Sequence, residues 1–506
     1  MEDRQPIQPS ESACSRWPLG LILAATTVFA LLLSHVTLLW EDELFSFYTA
    51  TQPSAAAIIH LQLHTPFALD PLAYPLASHA AMALFGQNAF ALRLPSLLGF
   101  LLMQLCIFHC VRLAFNARTA YLAALLPLCM SLFDYTAQGR PYGMLLGEFG
   151  AVLLCWYLAS SREHRMLPLL GLAIALFAAI TTHFFGVLIL VPVFCAEVYR
   201  AIVRRKVDAP LLLAIAIGMS GLLADLPVRA AVLPYRAHFY SATNLHANML
   251  GYSYVWAFGQ FFRYLAHDPQ HGIFWPVWLL LGTVLALSLR ETLLHHRNQM
   301  PLWVALATLG LLPFFAMATA MTATNAYEPR YALGLAIGFS ALLAIALAPL
   351  LQRTWFFYAL LFCIWGSIVP FSFVAASQQA AVTAAQRSAL QNFYPPGPVY
   401  MAAEDCFSPD YFYATAAERG RIICLYSTYW ELRQLQNDTG ALTSQAMNGH
   451  TPLHFLDFAQ YPAKTAPGTL WIASSHPTWL NAALREQGFS LVPVRSGATG
   501  TLYRLQ

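Results

Sequence analysis

Charged residues are scarce in this chain. Of its 506 residues, 10% are Asp, Glu, Lys or Arg, whereas 58% are hydrophobic. Soluble globular domains carry about 25% charged residues. The composition therefore excludes an ordinary soluble protein and predicts a polytopic membrane protein. The formal net charge of +3 is too small and too scattered to indicate a nucleic-acid partner.

Several common sequence signals are also missing. The nine cysteines form no CxxC pair and no Cys/His cluster at zinc spacing. No Gly-rich loop opens a helix in the polar C-terminal part, which argues against a phosphate-binding loop there. The first apolar run, 17–39, is longer than a signal-peptide core and lacks a small-x-small cleavage site after it. It is therefore predicted to be an uncleaved first span.

Eleven apolar segments approach or reach the length that crosses a bilayer. They fall at 17–39, 90–111, 119–134, 141–159, 167–182, 184–199, 210–226, 273–289, 301–320, 331–350 and 355–374. With the N-terminus inside, the cytoplasmic side holds thirteen of the 27 Lys and Arg residues, and the opposite short loops and span ends hold six. This asymmetry predicts a cytoplasmic N-terminus and an exported C-terminus.

The thirteen cytoplasmic basic residues are Arg4, Arg16, Arg112, Arg118, Arg162, Arg165, Arg200, Arg204, Arg205, Lys206, Arg290, Arg297 and Arg353. The six on the other side are Arg93, Arg140, Arg229, Arg236, Arg263 and Arg330.

The predicted topology divides the chain into three parts. A cytoplasmic tail, 1–16, precedes an all-α membrane domain, 17–374, and an extracytoplasmic α/β domain, 375–506, follows. The outer loop 40–89 holds two amphipathic stretches, Ser54–Leu63 and Ala68–Phe85, which are expected to lie on the membrane surface. The outer loop from Pro227 to Gly272 is rich in aromatic residues, which more often are interface anchors than ligand contacts.

The C-terminal part contains no run long enough to span. Its strand-like runs are Val399–Ala403, Ile422–Tyr426, Thr469–Ala473 and Leu491–Val494. A helix is predicted at Asn481–Gln487, closed by Gly488. Cys406 and Cys424 are the only two cysteines in this part, and an oxidising compartment would permit a disulfide between them. The domain is either a lid or acceptor-recognition element or a purely structural one.

Unusual polar residues collect at the outer ends of the predicted spans. They are Asp42, Glu43, Asp70, Arg93, Asp134, Arg140, His183, Asp225, Glu328 and Arg330. Ionisable groups beside membrane segments are candidates for function. The acids Glu41 to Glu43 after the first span are either a solvated helix end or a general base or metal-binding acid at the mouth of a cleft. Glu148 lies inside a span, either paired with an arginine or as a neutral structural carboxyl.

Five short motifs follow one another along the chain: Asp42-Glu43, the run from Phe85 to Ser96, Gln138 to Tyr142, Thr182 to Gly186, and Pro329-Arg330-Tyr331. In this order they resemble the motifs of lipid-phosphosugar-dependent glycosyltransferases of the protein mannosyltransferase and aminoarabinose transferase type, whose membrane fold is called GT-C. One motif differs, because many relatives carry His-Pro-Pro where this chain has Asp70-Pro71-Leu72. His64 lies nearby in the sequence.

The resemblance implies an enzyme that uses a polyprenyl-phosphate sugar at the outer face of a bacterial inner membrane, among membrane lipids. The acceptor, a lipid, a glycan or a protein, stays open, and so does the sugar, hexosyl or pentosyl. Asp42 would be the general base of an inverting transfer, with Glu43 positioning it or the acceptor. Arg330, Arg140 and His183 would bind the donor phosphate. Further site candidates are Asp70, His64, Arg93, Tyr142 and Tyr331.

Structural alternatives exist for several of these residues. Arg93 would instead reach the headgroups, His183 would cap a helix, and Arg330 would anchor to lipid headgroups. No cofactor is implied with certainty, and a divalent metal held by the acids stays open, although no ligand set has convincing spacing. The rival functions are a transporter or flippase, expected to show two corresponding halves with polar features at mid-membrane, and a non-catalytic scaffold.

Overall fold

The computed structural model describes residues 17–161, 164–240, 245–258, 275–390, 393–461, 471–474, 478–497 and 500–506. The predicted tail 1–16, with Arg4 and Arg16, lies outside the described residues, and so do Arg162 and Arg263.

In the membrane part the helices are α1 (Trp17–Val36), α2 (Glu41–Ala50), α3 (Ala55–His64), α4 (Ala73–Phe85), α5 (Ala89–Ala114), α6 (Ala117–Leu125), α7 (Tyr142–Ser161), α8 (Met166–Thr182), α9 (Leu190–Arg204), α10 (Ala209–Gly218), α11 (Gly221–Val232), α12 (Asn248–Ala257), α13 (Trp275–His295), α14 (Met300–Gly310), α15 (Leu312–Thr319), α16 (Leu335–Ala346), α17 (Ala348–Leu351) and α18 (Thr354–Leu390). Short 3₁₀ or π segments lie at Leu126–Cys129, Ser131–Ala137, Phe184–Ile189, Leu233–Arg236, Arg297–Gln299, Ala320–Thr324 and Pro329–Ala332.

Long apolar helices dominate this part. Within the described ranges, seven helices are long and apolar enough to cross a membrane, and nine if each of two bent pairs counts as one span. The bent pairs turn by 75° after Cys129 and by 54° after Gly310. Each of the eleven predicted segments falls on one of these nine or on the shorter apolar helices α8 and α16. The multi-pass architecture is confirmed, and the count of eleven spans stays a prediction.

The last membrane helix continues past residue 374, where the sequence predicted a change of domain. α18 runs unbroken to Leu390, because residues 375–390 are rich in Ala and Gln, which favour helix without being strongly apolar. The hydroxyl of Thr383 in this extension donates to the carbonyl of Val36 at the end of α1, at 2.6 Å. The extension therefore carries the last membrane helix past residue 374 and contacts the end of α1.

Glycines bring α5 and α7 into direct backbone contact. A β-carbon on Gly143 would lie 2.4 Å from the carbonyl oxygen of Ser96, and one on Gly147 would lie 2.4 Å from that of Gly99. Membrane helices approach closely where small residues face each other, because lipid supplies no hydrophobic force to press them together. This contact fixes the first turns of α5 beside the turn that precedes α7.

Each of the two predicted surface stretches of the first outer loop contains a helix, although residues 68–72 of the second are not helical. They correspond to α3 and α4, each shorter than a span. Pro71 precedes α4, and Pro75 occupies its first turn, where a missing backbone N–H costs no helical hydrogen bond. Ser54 begins α3 by accepting a hydrogen bond from the amide of Ala57 at 3.1 Å. Both helices adjoin α2.

The C-terminal part is an α/β domain, as predicted. Its strands are β1 (Val399–Ala402), β2 (Ile422–Tyr426), β3 (His454–Asp457), β4 (Trp471–Ser474), β5 (Leu491–Gly497) and β6 (Gly500–Leu505). They form one sheet in the order β3-β2-β1-β4-β6-β5, in which β3, β2, β1 and β4 are parallel and β6 is antiparallel to both neighbours. Its helices are α19 (Ala403–Cys406), α20 (Pro409–Tyr413), α21 (Ala416–Arg419), α22 (Thr428–Leu435), α23 (Thr439–Met447) and α24 (Trp479–Glu486).

Most predicted elements of this domain are present. The four strand-like runs correspond to β1, β2, β4 and β5, although residues 469–470 of the third lie outside the described residues. The predicted helix at Asn481–Gln487 is α24, and Gly488 follows it with φ of +90°, a conformation that favours glycine. The predicted Cys406–Cys424 disulfide is formed, with α-carbons 6.1 Å apart. The sequence missed β3 and β6.

Aromatic side chains join the C-terminal domain to α2. Phe45 packs edge-on against Phe407 with ring centroids 4.9 Å apart, and Phe47 packs against Phe412 at 5.2 Å. The amide of Leu39, just before α2, donates to the hydroxyl of Tyr413 at 3.3 Å. The helix that carries the acid cluster is therefore held between both domains.

Candidate functional site

A cavity of about 580 Å³ lies where the membrane helices meet the C-terminal domain. Seven of the ten predicted site residues line it, namely Asp42, Asp70, Arg140, Tyr142, His183, Arg330 and Tyr331. They come from α2, the loop before α4, the turn before α7 and its first residue, the junction after α8, and the Pro329–Ala332 turn. Residues distant in sequence thus meet in one place, whereas Glu43, Arg93 and His64 do not line the cavity.

Asp42 lies in the first turn of α2, among three consecutive acids. The N-terminal end of a helix stabilises negative charge, because unpaired amides and the aligned peptide dipoles are positive there. The Oδ2 atom of Asp42 is 3.5 Å from Nη1 of Arg330 and 3.8 Å from Nε of Arg140. Both distances exceed the usual 2.7–3.2 Å of a hydrogen bond, so the carboxylate is flanked by two cations without a tight bond to either.

The three neighbouring acids have different environments. Glu41 is exposed, so it is the one acid of the three that fits the alternative of a solvated helix end. Asp42 faces the cavity with its side chain 20% exposed. Glu43 is completely buried. Of the acid cluster, only Asp42 lines the cavity.

Glu43 and Arg93 form a buried ion pair behind Asp42. Nε and Nη2 of Arg93 donate to the two carboxylate oxygens of Glu43 at 2.7 and 2.8 Å. The amide of Trp40 donates to Oε2 of Glu43 at 3.2 Å, and the amide of Gly139 donates to Oε1. With both carboxylate oxygens hydrogen-bonded and no exposed surface, Glu43 holds the start of α2 in place.

Arg93 also binds the end of α1. Its guanidinium donates to the carbonyls of Ser34 at 2.7 Å, Thr37 at 3.1 Å and Leu38 at 3.2 Å. These carbonyls have no intrahelical partner at a helix C-terminus, and a cation there is favourable. Since Arg93 is only 2% exposed, it does not reach the lipid headgroups, and that alternative is wrong.

Arg140 connects α2 to the loop before α4. Its Nη1 donates to the carbonyl of Asp42 and to Oγ of Ser46, both at 3.1 Å, and lies 3.2 Å from Oδ2 of Asp70. The hydroxyl of Ser96 donates to the Arg140 carbonyl and fixes the backbone at this turn. Burial would lower the pKa of the Arg140 guanidinium, but Asp70 and Asp42 outweigh it and raise the pKa above its ordinary value. Arg140 is therefore a permanent cation.

Asp70 is a second buried carboxylate of the cavity wall. Gln62 of α3 donates from Nε2 to the carbonyls of Ala68 at 3.1 Å and Asp70 at 2.9 Å, which fixes this loop. Burial raises the pKa of the Asp70 carboxyl above its ordinary value, against the opposing effect of Arg140. Asp70 therefore binds a proton at a higher pH than an exposed aspartate, and its charge controls the field around Arg140.

Arg330 lies on the other side of Asp42. Its Nη2 donates to the hydroxyl of Tyr240 at 2.6 Å, and its side chain is 17% exposed. Among the described residues its buried Nε atom has no hydrogen-bond partner. Asp42 and Tyr240 are thus the polar neighbours of this guanidinium in the cavity wall.

His183 caps a turn and also lines the cavity. Its Nδ1 accepts a hydrogen bond from the amide of Phe185 at 3.1 Å, which caps the following 3₁₀ turn, and the residue also lines the cavity. Burial, with Arg140 and Arg330, lowers the pKa of His183 to about 3. The ring is therefore neutral, and because Nδ1 accepts, the proton is on Nε2.

Aromatic rings surround this imidazole. The ring centroid of Tyr142 lies 5.3 Å from that of His183, and the centroid of Tyr331 lies 5.5 Å from it. Tyr331 also stacks on Phe185 at 4.5 Å. Tyr142 and Tyr331 thus form the aromatic wall that holds His183.

Two further candidates lie away from the cavity. His64 is exposed at the end of α3, stacked on His60 with its Nδ1 bonded to the His60 carbonyl at 2.8 Å. Glu148 is buried and accepts from the hydroxyl of Thr182 at 2.8 Å. Its hydrogen-bond partner is thus a hydroxyl rather than an arginine.

Sequence reasoning missed part of the cavity wall. Tyr235, Arg236, Phe239 and Tyr240 of the second outer loop line it, and so do Arg229 of α11 and Thr439 and Thr443 of the C-terminal domain. The signal for the loop residues is the density of Tyr, Phe and Arg between 227 and 240, which more often indicates interface anchoring. Nothing in the sequence distinguished the two threonines.

Arginine lies beside each of the two cavity carboxylates, which the sequence leaves open as metal ligands. Within the described parts of the chain, no three or more His, Cys, Asp or Glu side chains are grouped so that they could hold a metal ion. Asp42 and Asp70 are both paired with arginine, which competes for the carboxylate oxygens that Mg²⁺ or Ca²⁺ would need.

Comparison with known proteins gives one family match and several structural matches. Residues 70–226 match the model of a family described as dolichyl-phosphate-mannose-protein mannosyltransferase. No curated protein sequence matches the chain significantly. The crystal structure of ArnT from Cupriavidus metallidurans in the apo state matches with a TM-score of 0.59 and 14% identity, covering 98% of this chain and 98% of that chain. The ArnT structure bound to undecaprenyl phosphate matches with a TM-score of 0.58 and 14% identity, covering 97% and 98%. The fold expected from the sequence resemblance is confirmed over both domains.

Proposed function

We propose that this protein, which has the GT-C fold, transfers a sugar from a polyprenyl-phosphate donor to an acceptor hydroxyl. The observation that carries the proposal is the position of Asp42. It is a carboxylate with two arginines beside it but no tight bond to either, in a cavity between membrane helices and a polar domain. The similar fold of ArnT, crystallised with undecaprenyl phosphate, supports a lipid-phosphate donor.

The donor phosphate would lie between Arg330 and Arg140. Both guanidinium groups line the cavity, and their buried Nε atoms have no hydrogen-bond partner among the described residues. A planar guanidinium matches two phosphate oxygens at once, which a single ammonium does not. The Nε2 proton of His183 would add a neutral donor. A lipid tail suits this location, because apolar side chains such as Leu222, Val232 and Leu233 also line the cavity.

Transfer would proceed in one displacement. The acceptor hydroxyl gives its proton to the Asp42 carboxylate as its oxygen bonds to the anomeric carbon. The bond from that carbon to the phosphate oxygen breaks, and its electron pair stays on the lipid phosphate. Arg330 and Arg140 stabilise the charge that grows there. A single attack from the opposite side inverts the anomeric centre, and no step requires a metal.

The site belongs to the outer face of a bacterial inner membrane in this proposal. The supporting observation is the excess of Lys and Arg on the predicted cytoplasmic side. A reporter that is active only when exported should give a signal when fused after Gln506 and none when fused after Arg353. The opposite pattern would place the cavity on the cytoplasmic side.

The catalytic proposal is tested with purified protein in lipid vesicles and a polyprenyl-phosphate sugar labelled in the sugar. The enzyme should move label from the lipid to water or to an added acceptor, and empty vesicles should not. A transporter or flippase would carry the donor across the bilayer with the label still on the lipid. That second result would overturn the proposal. Parallel assays with hexosyl and pentosyl donors would identify the sugar class.

A further inference from the structure

A short segment of the second outer loop lies between the cavity and the C-terminal domain. We call this segment, Leu233–Tyr240, the strap. The amide of Tyr240 donates to Oγ1 of Thr439 in the first turn of α23 at 3.3 Å. Beside it, Nδ1 of His238 lies 3.7 Å from Oδ2 of Asp438. The C-terminal domain therefore binds the end of the strap at two adjacent points.

The other side of the strap contacts the catalytic cavity. The hydroxyl of Tyr240 accepts from Nη2 of Arg330 at 2.6 Å, and Nη1 of Arg330 lies 3.5 Å from Asp42. At the start of the strap, Tyr235 donates from its hydroxyl to the carbonyl of Pro66 at 2.9 Å, in the loop that leads to Asp70. A continuous series of contacts thus runs from Thr439 through Tyr240 and Arg330 to Asp42.

We infer that Thr439 is a positioning residue of the active site, which holds Tyr240 and through it the Arg330 guanidinium. The inference rests on the proposed function, because it assumes that Arg330 binds the donor phosphate. It gives the C-terminal domain a catalytic role as one wall of the site. The domain is then more than a structural attachment.

The physical reason is the geometry that a guanidinium needs. Arginine binds phosphate with a planar set of donors, so a rotation of that plane loses one of two hydrogen bonds. The Tyr240 hydroxyl occupies Nη2, which fixes the plane and directs Nε and Nη1 to other partners. Without Oγ1 of Thr439, the backbone amide of Tyr240 loses its hydrogen bond to the C-terminal domain. Tyr240 then samples more positions, and Arg330 moves with it.

The test uses three variants and a matched control. Thr439→Val keeps the side-chain shape and removes the accepting oxygen, and Thr439→Ser keeps that oxygen. Tyr240→Phe removes the hydroxyl that accepts from Arg330. The control is Ser444→Ala on the same helix, because among the described residues the hydroxyl of Ser444 donates to the carbonyl of Gly440 within α23 at 2.7 Å. Each protein is purified in nanodiscs, and its Kd for undecaprenyl phosphate is measured.

Thr439→Val should raise the Kd by roughly 2–10-fold, the effect of losing one neutral hydrogen bond. Thr439→Ser should restore the wild-type Kd, and Ser444→Ala should leave it unchanged. In the Tyr240→Phe background the Val substitution should add little, because the route to Arg330 is already broken. Independent, additive effects would overturn the inference. So would a normal Kd in Thr439→Val, or a defect that Ser does not restore.

Two further outcomes separate the inference from the proposed function. If Thr439→Val changes only the KM for the acceptor, the threonine contacts the acceptor and does not act through Arg330. If the wild-type protein does not bind undecaprenyl phosphate, the proposed function fails and the inference fails with it. If the wild type binds and the variants bind equally well, only the inference fails. Should Thr439→Val not fold, Thr439→Ala removes the same oxygen, and its Kd is compared with those of Thr439→Ser and Ser444→Ala.

Discussion

The buried pair of Glu43 and Arg93 predicts that two adjacent acids have separable roles. Glu43→Gln keeps the size of the side chain but replaces one oxygen by an amide nitrogen, which can only donate. Oε1 of Glu43 accepts from Arg93 and Gly139, and Oε2 accepts from Arg93 and Trp40. In either orientation the new nitrogen faces two N–H donors. The variant should therefore fold poorly.

The expected magnitude follows from the burial of the pair. Glu43 is 0% and Arg93 2% exposed, and removing one partner of such a pair costs about 3–5 kcal/mol, because the other charge stays buried without its counter-ion. Arg93→Met should cost a similar amount. The double variant should be more stable than the sum of the two losses by about 1–3 kcal/mol, since neither charge is then left alone.

The assay is the free energy of unfolding in mixed micelles, measured beside the transfer rate per folded molecule. The control is Asp42→Asn, one position earlier on the same helix. Asp42→Asn should unfold like the wild type and lose turnover, whereas Glu43→Gln should lose stability first. A Glu43→Gln protein of wild-type stability without activity would refute the structural role and place Glu43 in the chemistry.

The remaining predictions concern the two cations and the packing beneath them. Arg330→Ala should weaken binding of the donor by about 2–5 kcal/mol, the cost of truncating one side of a buried ionic contact. Arg330→Lys should bind the donor with an affinity between those of the wild type and Arg330→Ala. An unchanged donor affinity in Arg330→Ala would indicate that Arg330 anchors to lipid headgroups instead. Because burial raises the pKa of Asp70, lowering the pH should protonate Asp70 at a higher pH than an exposed aspartate. Arg140 then loses the negative charge of Asp70, and the phosphodiester donor should bind more tightly. Asp70→Asn should bind tightly at neutral pH and lose that pH dependence, and an unchanged pH profile would contradict the assignment. Gly143→Ala places a β-carbon 2.4 Å from the Ser96 carbonyl oxygen and should lower the free energy of unfolding by about 1–3 kcal/mol. Gly366→Ala is the control and should not lower it, because among the described residues no atom lies within 4 Å of a β-carbon at that position.

The sequence predicted the membrane part well, because hydropathy reports directly on the solvent around each segment. The positive charges then placed Asp42, Arg140, His183 and Arg330 on one face, which explains why residues from four separate segments could be grouped without a structure. Their distances and partners could not be predicted in this way.

Other features depend on packing that no local pattern encodes. The sequence around Arg93 is typical of any arginine near a membrane surface, and only the fold brings it beside Glu43, fifty residues earlier in the chain. His64 looks close to the site in sequence, but the rotation of α3 turns it to solvent. Tyr240 resembles an interface aromatic because its role depends on Arg330, ninety residues later in the chain.

The C-terminal domain shows the same limit on a smaller scale. The apolar runs of β1 and β2 are recognisable because these strands are buried in the middle of the sheet. The edge strand β3 is half exposed, with His454 and Asp457 at its ends, so it lacks a strand pattern. Thr439 and Thr443 reach the cavity only because of how the whole domain sits on the membrane helices.

The central claim, that Asp42 takes the proton from the acceptor, is tested most directly by one measurement on Asp42→Asn. Donor binding and single-turnover transfer are measured on the same purified, correctly inserted protein. Asparagine keeps the shape but cannot accept the proton, so transfer should fall by about 10²–10⁴. Donor binding should persist or tighten slightly, because one negative charge near the phosphate is gone. Near-normal single-turnover transfer in this variant would contradict the account.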